Sequence, residues 1–374
     1  MASDRPLEVA LIGAGNRAST TYGAILPHLQ EWVRVVAVCD PVVEHSEQLA
    51  ARLGARSFHS IQDLVAAELV EAALVVTPIP SHHSISAFLS VHGIHHEVET
   101  AMADTLEQAR DMVARAAAGG VVLRVGENFF RVPFDRMMKL VAQSGVIGDV
   151  RRVLCMYDHT GFHNNSRWIA FHEAAALTVQ AVHHDMPVAP YHSMPHRHHT
   201  SEAFRCYTYT FPGDRLVVDL AGNIKGNLGR HPRPGYTEVA GARGVVVQQA
   251  VELWAGRAEV RRCTDDALRD GGKADQIAAI VDEVEDDVWT RSHVAIDGRR
   301  FEYVNPLRVP ASHFLTYYGA TVAGHVVDFA RAVWRARGSQ SAAQDLAAQG
   351  FEYTDREALA AMEMWIGADE SALR

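Results

Sequence analysis

Residues 7–18, Leu-Glu-Val-Ala-Leu-Ile-Gly-Ala-Gly-Asn-Arg-Ala, constrain this chain more than any other stretch. The apolar run from Val9 to Ile12 is short, continuous and ended by glycine, which reads as a buried parallel strand. Gly13, Gly15 and Ala18 follow as G-x-G-x-x-A, the dinucleotide fingerprint with a small third residue. Gly13 permits the tight turn, and Gly15 lets the backbone approach a pyrophosphate without a Cβ in the way. Ala18 keeps the next helix close to the sheet, so that its first N–H groups face the phosphates. A second apolar run, from Val35 to Cys39, ends in Asp40, where a carboxylate would take the ribose hydroxyls. Asp40 also reads as the opener of a turn with Pro41. The acid favours NAD over NADP, because a 2′-phosphate would be repelled there; Arg17 leaves room for NADP.

At 374 residues the chain exceeds one typical domain, and two are expected. Apolar content of 48% with 21% charged residues suits a globular protein with ample core. A net charge of −10 and the lack of a long Lys/Arg run argue against a nucleic-acid surface. The N-terminus does not resemble a signal peptide and there is no apolar stretch of about 18 residues, so a cytoplasmic location without membrane attachment is expected. Cys39, Cys155, Cys206 and Cys263 are scattered without C-x-x-C, which indicates neither a disulfide framework nor a thiolate zinc site. The 21 histidines are the oddity of the composition.

Up to about residue 128, strands alternate with helices, which implies a parallel doubly wound sheet with ligands at the carboxyl ends of its strands. Thr77, Glu99 and Asn128 fall at such ends. From residue 129 the pattern changes. A helix over Pro133 to Gln143 and a strand from Val150 lead into a His-rich stretch, 159–200, with partial helical character. Alternating runs then read as strands over Phe204–Phe211, Leu216–Ile224, Tyr236–Ala240, Val245–Gln249 and Val251–Trp254. Helices return at Tyr317 to Ala336 and after the capping box Thr354-Asp-Arg-Glu357. The expectation is an α/β chain: a Rossmann domain over 1–128, then an α+β domain with an open, largely antiparallel sheet over 129–374.

In the His-rich stretch, aromatic rings stand beside His, Arg and Asp, at His159, His163, Arg167, Trp168 and His172. Ring faces cover C–H surfaces while polar groups bind hydroxyls, which suits a polyhydroxylated substrate. A basic cluster would also hold a carboxylate. Imidazoles are common metal ligands, yet no H-E-x-x-H spacing occurs, and no metal is assigned. His196, His198 and His199 also read as an exposed loop.

Together these features resemble the Gfo/Idh/MocA family, the glucose–fructose oxidoreductase and inositol dehydrogenase group. The carriers are Gly13 to Ala18, Asp40-Pro41, Thr77-Pro78 with His82, and His95 through Glu99. Gly145-Val-Ile-Gly148-Asp149-Val150 and the tail from Thr354 to Ala372 complete them. The resemblance implies a dinucleotide held by Gly13, Gly15, Asn16, Arg17, Ala18, Asp40, Thr77, Pro78, His82, Glu99 and Asn128. It also implies substrate groups at Glu127 and Arg131, and a homo-oligomer, dimer or tetramer, built on the open sheet. Glu127 reads equally as a surface acid, and Asn128 as a turn former.

The catalytic positions depart from the family pattern. Where typical members carry Glu-Lys-Pro, this chain has Glu99-Thr100-Ala101. Where they carry Asp and His four residues apart on a helix, the best match is Val179 and His183. Removing hydride from an alcohol needs a base for the hydroxyl proton, and threonine is not one. His183 leads the candidates, followed by His184, Asp185, Tyr191 and Glu99; His183 also reads as a packed core histidine. The reading is an NAD(P)-dependent oxidoreductase of a sugar, glycoside or cyclitol. A redox-neutral NAD-using glycosidase, lyase or epimerase and an inactive cofactor-binding sensor are the alternatives.

Overall fold

The computed structural model describes residues 5–156, 161–194, 197–221, 235–252, 255–263, 274–309, 317–349 and 351–373. The chain forms two compact units. The first comprises the residues up to Asn128 with Asp286–Val288 and Leu307–Met362, and the second comprises Phe129–Glu285, Trp289–Pro306 and the residues from Glu363.

The first unit is a six-stranded parallel sheet of β1 (Leu7–Ile12), β2 (Val33–Cys39), β3 (Arg56–Phe58), β4 (Ala72–Val75), β5 (His95–Val98) and β6 (Leu123–Val125). The strand order is β3-β2-β1-β4-β5-β6, the doubly wound Rossmann arrangement with its switch point between β1 and β4. The crossover after β1 is irregular. It starts as a wide π-type turn over Ala18–Tyr22, continues as α1 (Gly23–Ile25) and tightens to a 3₁₀ turn over Leu26–His28. Thr20 lies in that first turn, and its hydroxyl donates to the Asn16 carbonyl at 2.7 Å, a local bond of the kind that competes with regular helix. The other connections are α2 (Val43–Leu53), α3 (Ile61–Ala66), α4 (His82–Val91) and α5 (Leu106–Gly119). Ser60 and Thr105 cap α3 and α5 by accepting from the N–H groups of Asp63 and Gln108.

Helix α8 (Tyr318–Ala336) belongs to this first unit. Val322, Val326, Phe329 and Val333 recur at helical spacing, and all are buried in one core with Leu7, Val9, Leu11, Ile25 and Val33. Trp334 stacks on Trp32 at 5.1 Å, and its indole N–H donates to the Arg5 carbonyl at 3.0 Å. An apolar stripe this wide needs a large partner, and the Rossmann core supplies it. Helix α9 (Gln340–Gln349) follows. The capping box before α10 (Asp355–Ala372) forms as read: Glu357 accepts from the Thr354 N–H at 2.9 Å.

The second unit is a ten-stranded mixed sheet in the order β16-β15-β14-β13-β12-β11-β7-β10-β9-β8. β7 (Val150–Met156) and β10 (Arg215–Ala221) pair in parallel, whereas β10 with β9, β11 with β7 and with β12, β13 with β12 and with β14, β15 with β16, and β8 with β9 pair antiparallel. Helices α6 (Pro133–Gln143) and α7 (Gly161–His172) precede the antiparallel run.

Several sequence expectations need correction. The stretch around His183 is not helical: β8 spans Thr178–Met194 and pairs along β9 (Arg197–Phe211). Thr178, Val179 and Val182 are β-branched and suit a strand. The two strands expected over 245–254 are one, β12 (Gly244–Glu252), which is irregular between Gln249 and Glu252; no turn-forming residue separates its halves. Four further strands were not anticipated: β13 (Ala255–Arg262), β14 (Asp275–Glu285), β15 (Val288–Ile296) and β16 (Arg299–Val304). β11 (Gly235–Gly241) matches its expected span within a residue or two.

Trp334→Ala removes a 6%-exposed indole together with its stack and its hydrogen bond. A loss of about 3–5 kcal/mol of unfolding free energy is expected in denaturant titration. A loss below about 1 kcal/mol would contradict the role of α8 as part of the first core.

Candidate functional site

The glycine turn after β1 is dictated by its surroundings. Gly13 has φ +96°, and a Cβ there would lie 2.3 Å from the Val76 carbonyl oxygen, so any other residue would clash as well as strain. Its N–H donates to the Cys39 carbonyl at 2.8 Å. At Gly15 a Cβ would meet nothing within 4 Å. Gly15 and Asn16 are exposed, Arg17 is half-buried and Ala18 is buried against the core. The turn therefore has a packed side and an open side, the cradle that a dinucleotide phosphate requires.

Asp40 closes a turn, as one of its two readings has it, and also meets the glycine turn. Its Oδ1 accepts from the Val42 N–H at 2.8 Å, closing a turn after β2. Its Oδ2 accepts from the Ala14 N–H at 2.7 Å, which locks the carboxylate to the glycine turn. These residues fit an adenine dinucleotide.

At the carboxyl end of β5, Glu99 is 8% exposed. Its Oε1 accepts from Arg17 Nε at 2.7 Å and from the Tyr22 hydroxyl at 3.0 Å; its Oε2 accepts from the Thr100 N–H at 3.0 Å. Burial alone would raise this carboxyl group's pKa, but Arg17, His325 and the Thr100 N–H hold it below the ordinary value. Burial, reinforced by Glu99, keeps the Tyr22 phenol protonated well past its usual range. Glu99 is thus held as an anion by three donors. Next to it on the same face, Glu97 bonds His325 of α8, Oε1 to Nδ1, at 2.8 Å.

His82 is fully buried and ties two chain segments, with Nδ1 3.0 Å from the Ala101 carbonyl oxygen and Nε2 2.8 Å from that of Thr77. Its ring nitrogens are occupied by the backbone. Thr77 Oγ1 accepts from the Ser81 hydroxyl at 2.8 Å, in the 3₁₀ turn that follows Pro78. Glu127 is 2% exposed, which removes the surface reading; its carboxylate accepts from the Asn128 N–H at 2.9 Å.

In the second unit, the residues expected to bind substrate separate into two groups. Arg167 and Trp168 are turned into the core, at 1% and 0% exposure. Arg167 holds Asp135 with two parallel bonds of 2.7 and 2.9 Å. Trp168 donates its indole N–H to Asp219 at 3.1 Å, and Asn164 donates to the same carboxylate at 3.1 Å. Their polarity anchors α7, so their assignment to substrate is corrected. His172 is also buried, packed 4.4 Å from Phe211, and burial with nearby Arg215 pushes its pKa down to about 3. Arg131 is buried with its guanidinium 4.5 Å over Phe130. His163 differs from these: it is half-exposed and stacks on Phe129 at 4.2 Å. His159 lies outside the described residues.

The strand at 178–194 also changes the catalytic candidates. Val179 and His183 are not a helical pair. Period-two alternation places His183 with Ala181 and Asp185 on one face and His184 on the other. Asp185 accepts from Arg205 at 2.8 Å. His183 Nε2 lies 3.5 Å from Asp369 Oδ1, an electrostatic neighbour rather than a hydrogen bond. Burial and Arg205 lower the His183 pKa, against Asp369 and Asp185. Tyr191 pairs with His199 in the β8–β9 register; its side chain lies outside what the structure describes. Among the described residues, no group of three or more His, Cys, Asp or Glu side chains converges as a metal site requires, and no helix is long and apolar enough to cross a membrane.

Residues 7–127 match a family described as an oxidoreductase family with an NAD-binding Rossmann fold, Gfo/Idh/MocA. D-apiose dehydrogenase from Paraburkholderia graminis is 29% identical over 127 residues, 32% of this chain and 34% of that protein. The match therefore spans about a third of that relative. Rhizopine catabolism protein MocA from Rhizobium meliloti is 24% identical over 63% of this chain and 76% of its own. Among solved structures, a levoglucosan dehydrogenase in complex with NADH and levoglucosan superposes with a TM-score of 0.69 at 17% identity, covering 99% of this chain and 98% of that one. That likeness is one of fold.

Asp219 gives the second unit a pH signature. Burial pushes its carboxyl pKa up to about 6, against Trp168, Arg167 and Asn164. The folded chain then keeps this proton to higher pH than the unfolded chain does. The group's contribution is greatest below the unfolded value, declines as pH rises from about 4 to about 6, and is flat above. Asp219→Asn should remove this decline, so the variant gains about 2–3 kcal/mol on wild type across that window. Parallel stability curves in pH-dependent denaturation would contradict the assignment.

Proposed function

We propose that this chain, whose N-terminal domain belongs to the Gfo/Idh/MocA oxidoreductase family, oxidises a hydroxyl of a sugar, glycoside or cyclitol, or reduces the matching ketone, with NAD. The observation that carries this reading is the glycine turn, packed at Gly13, open at Gly15 and locked to Asp40. The names of the relatives, an apiose dehydrogenase and an inositol dehydrogenase among them, support a polyhydroxylated substrate.

In this reading the backbone N–H groups from Gly13 to Ala18 hold the pyrophosphate, and Asp40 holds the adenosine ribose. When bound, NAD supplies the hydride acceptor. Asp40 places negative charge where a 2′-phosphate would sit, so NADP binds less tightly than NAD. Glu99 keeps Arg17 and Tyr22 in place at the end of β5 and stays ionised throughout. Thr100, at the position of the family's lysine, takes no proton.

The hydroxyl proton then needs an imidazole. We assign it to His163 rather than His183. His163 is half-exposed on α7, and its ring rests on Phe129, the residue that follows Asn128. Its neighbours Asn164, Arg167 and Trp168 are committed to the buried carboxylates of Asp135 and Asp219. His183 sits on a strand that also meets the C-terminal helix, the Ala181 N–H donating to the Ser371 hydroxyl at 3.2 Å. The reading also includes a homo-oligomer in the cytoplasm, for which light scattering after gel filtration gives the mass.

Turnover is read from NAD(P)H absorbance across a panel of sugars, glycosides and cyclitols in both directions. With the best substrate, His163→Ala should lower kcat by about 10²–10⁴-fold, and His183→Ala by less than tenfold, as roughly suits a residue without a proton-transfer role. The opposite ranking would return the role to His183. No absorbance change with any substrate would count against the oxidoreductase reading.

A further inference from the structure

The turn Gly145-Val-Ile-Gly148, one of the family marks in the sequence, has no part in the oxidoreductase reading. It borders a groove of about 690 Å³ in the second unit. That volume suits a small molecule, since ligand pockets span about 300–1,000 Å³. The end of α6, the start of β7, the end of α7 and the β9–β10 turn surround it, contributing Lys139, Gln143, Asp149, Arg151, Phe171 and Arg215. None of these residues belongs to the cofactor or proton-transfer groups above.

Two arginines stand side by side in the wall of this groove. β7 and β10 run parallel with Arg152 opposite Leu216. Arg151 and Arg215, one residue earlier on each strand, are therefore neighbours across strands about 5 Å apart. Both border the groove, so both side chains leave the same face of the sheet. Like charges side by side on adjacent strands cost stability. The protein compensates them only in part. Arg151 has Asp149 at 3.6 Å, with both side chains more than half exposed, a contact worth little. Arg215 donates from Nε to the Pro212 carbonyl at 2.6 Å and has no carboxylate partner among the described residues. Asp214, next to it in sequence, is exposed in the turn and does not border the groove. His172, its buried neighbour, is held neutral and offers no anion. The third cation, Lys139, is committed to Glu173 at 2.6 Å and to the Ala170 carbonyl at 2.9 Å.

An uncompensated guanidinium beside a loosely paired one calls for a single negative charge. A carboxylate meets a guanidinium with two parallel bonds. Around that charge, Gln143 and Asp149 supply hydroxyl partners and the Phe171 ring supplies an apolar face. We propose that this groove binds a small hydroxylated carboxylic acid, of the sugar-acid class, with its carboxylate on Arg215 and Arg151. The site lies at the end of α7 opposite the turn that carries His163.

Calorimetric titration of the full chain with D-gluconate, and with the uncharged polyol D-glucitol, tests this site. D-gluconate should bind with a Kd of about 1 mM or tighter, and D-glucitol about tenfold or more weakly than that. Arg215→Gln should weaken D-gluconate by about tenfold, as the loss of a charge-assisted pair implies, and His163→Ala should leave it unchanged. No D-gluconate binding at about 10 mM, equal binding of D-glucitol, or an affinity unchanged by Arg215→Gln overturns the inference. Loss of D-gluconate binding in His163→Ala overturns it too, by placing the acid at the proton-transfer site. Should Arg215→Gln fail to fold, the exposed Arg151→Gln decides: weakening by about threefold or more supports the site, and no change overturns it.

Discussion

The close approach of Gly13 to the Val76 carbonyl is the constraint on which the first unit depends. Gly13 also donates to Cys39, and Ala14 to the Asp40 side chain, so one tight turn joins the ends of β1, β2 and β4. A side chain at Gly13 would push β4 away and open the switch point where parallel sheets bind ligands. Gly15, two residues on, faces nothing. One glycine is required by the protein's own packing and the other by what the protein holds.

Buried charge is used in two different ways. In the second unit, Arg167, Asp135, Trp168, Asn164 and Asp219 form a hydrogen-bonded network that anchors α7. In the first unit, Glu97 and His325 leave polar atoms unpaired. The first pattern is how polar groups survive in a core; the second departs from it. Glu99 stands between them: satisfied by Arg17, Tyr22 and the Thr100 backbone, at the carboxyl end of β5.

The Rossmann half was legible because its central strands β1, β2 and β4 are largely apolar runs closed by turn signals, and because Gly13, Gly15, Ala18 and Asp40 hold fixed offsets. The second half was legible as a class but not in detail. Val179 and His183 fit a helix and a strand equally well by spacing, since i and i+4 share a face in both; β-branching was the signal to weigh. The β15–β16 hairpin had a mark in the sequence, Asp297-Gly298 with both residues at positive φ, between alternating runs. Arg167 and Trp168 were misread because polar and aromatic residues suit a sugar and suit a buried ion network alike. Partners decide between the two, and Asp135 and Asp219 lie 32 and 51 residues away in sequence. His325 meets Glu97 across 228 residues, which no local pattern reveals.

The most direct test of the account compares NAD binding by the wild type and by Gly15→Val. A Cβ at this position meets nothing within 4 Å in the protein, so folding stability should match that of the wild type within about 1 kcal/mol. It would occupy the room for the pyrophosphate, so NAD affinity should fall by about a hundredfold or more, as the loss of several backbone-to-phosphate bonds implies. Undiminished affinity in a folded Gly15→Val protein, or no NAD binding by the wild type, would contradict the central claim that this turn is a dinucleotide cradle.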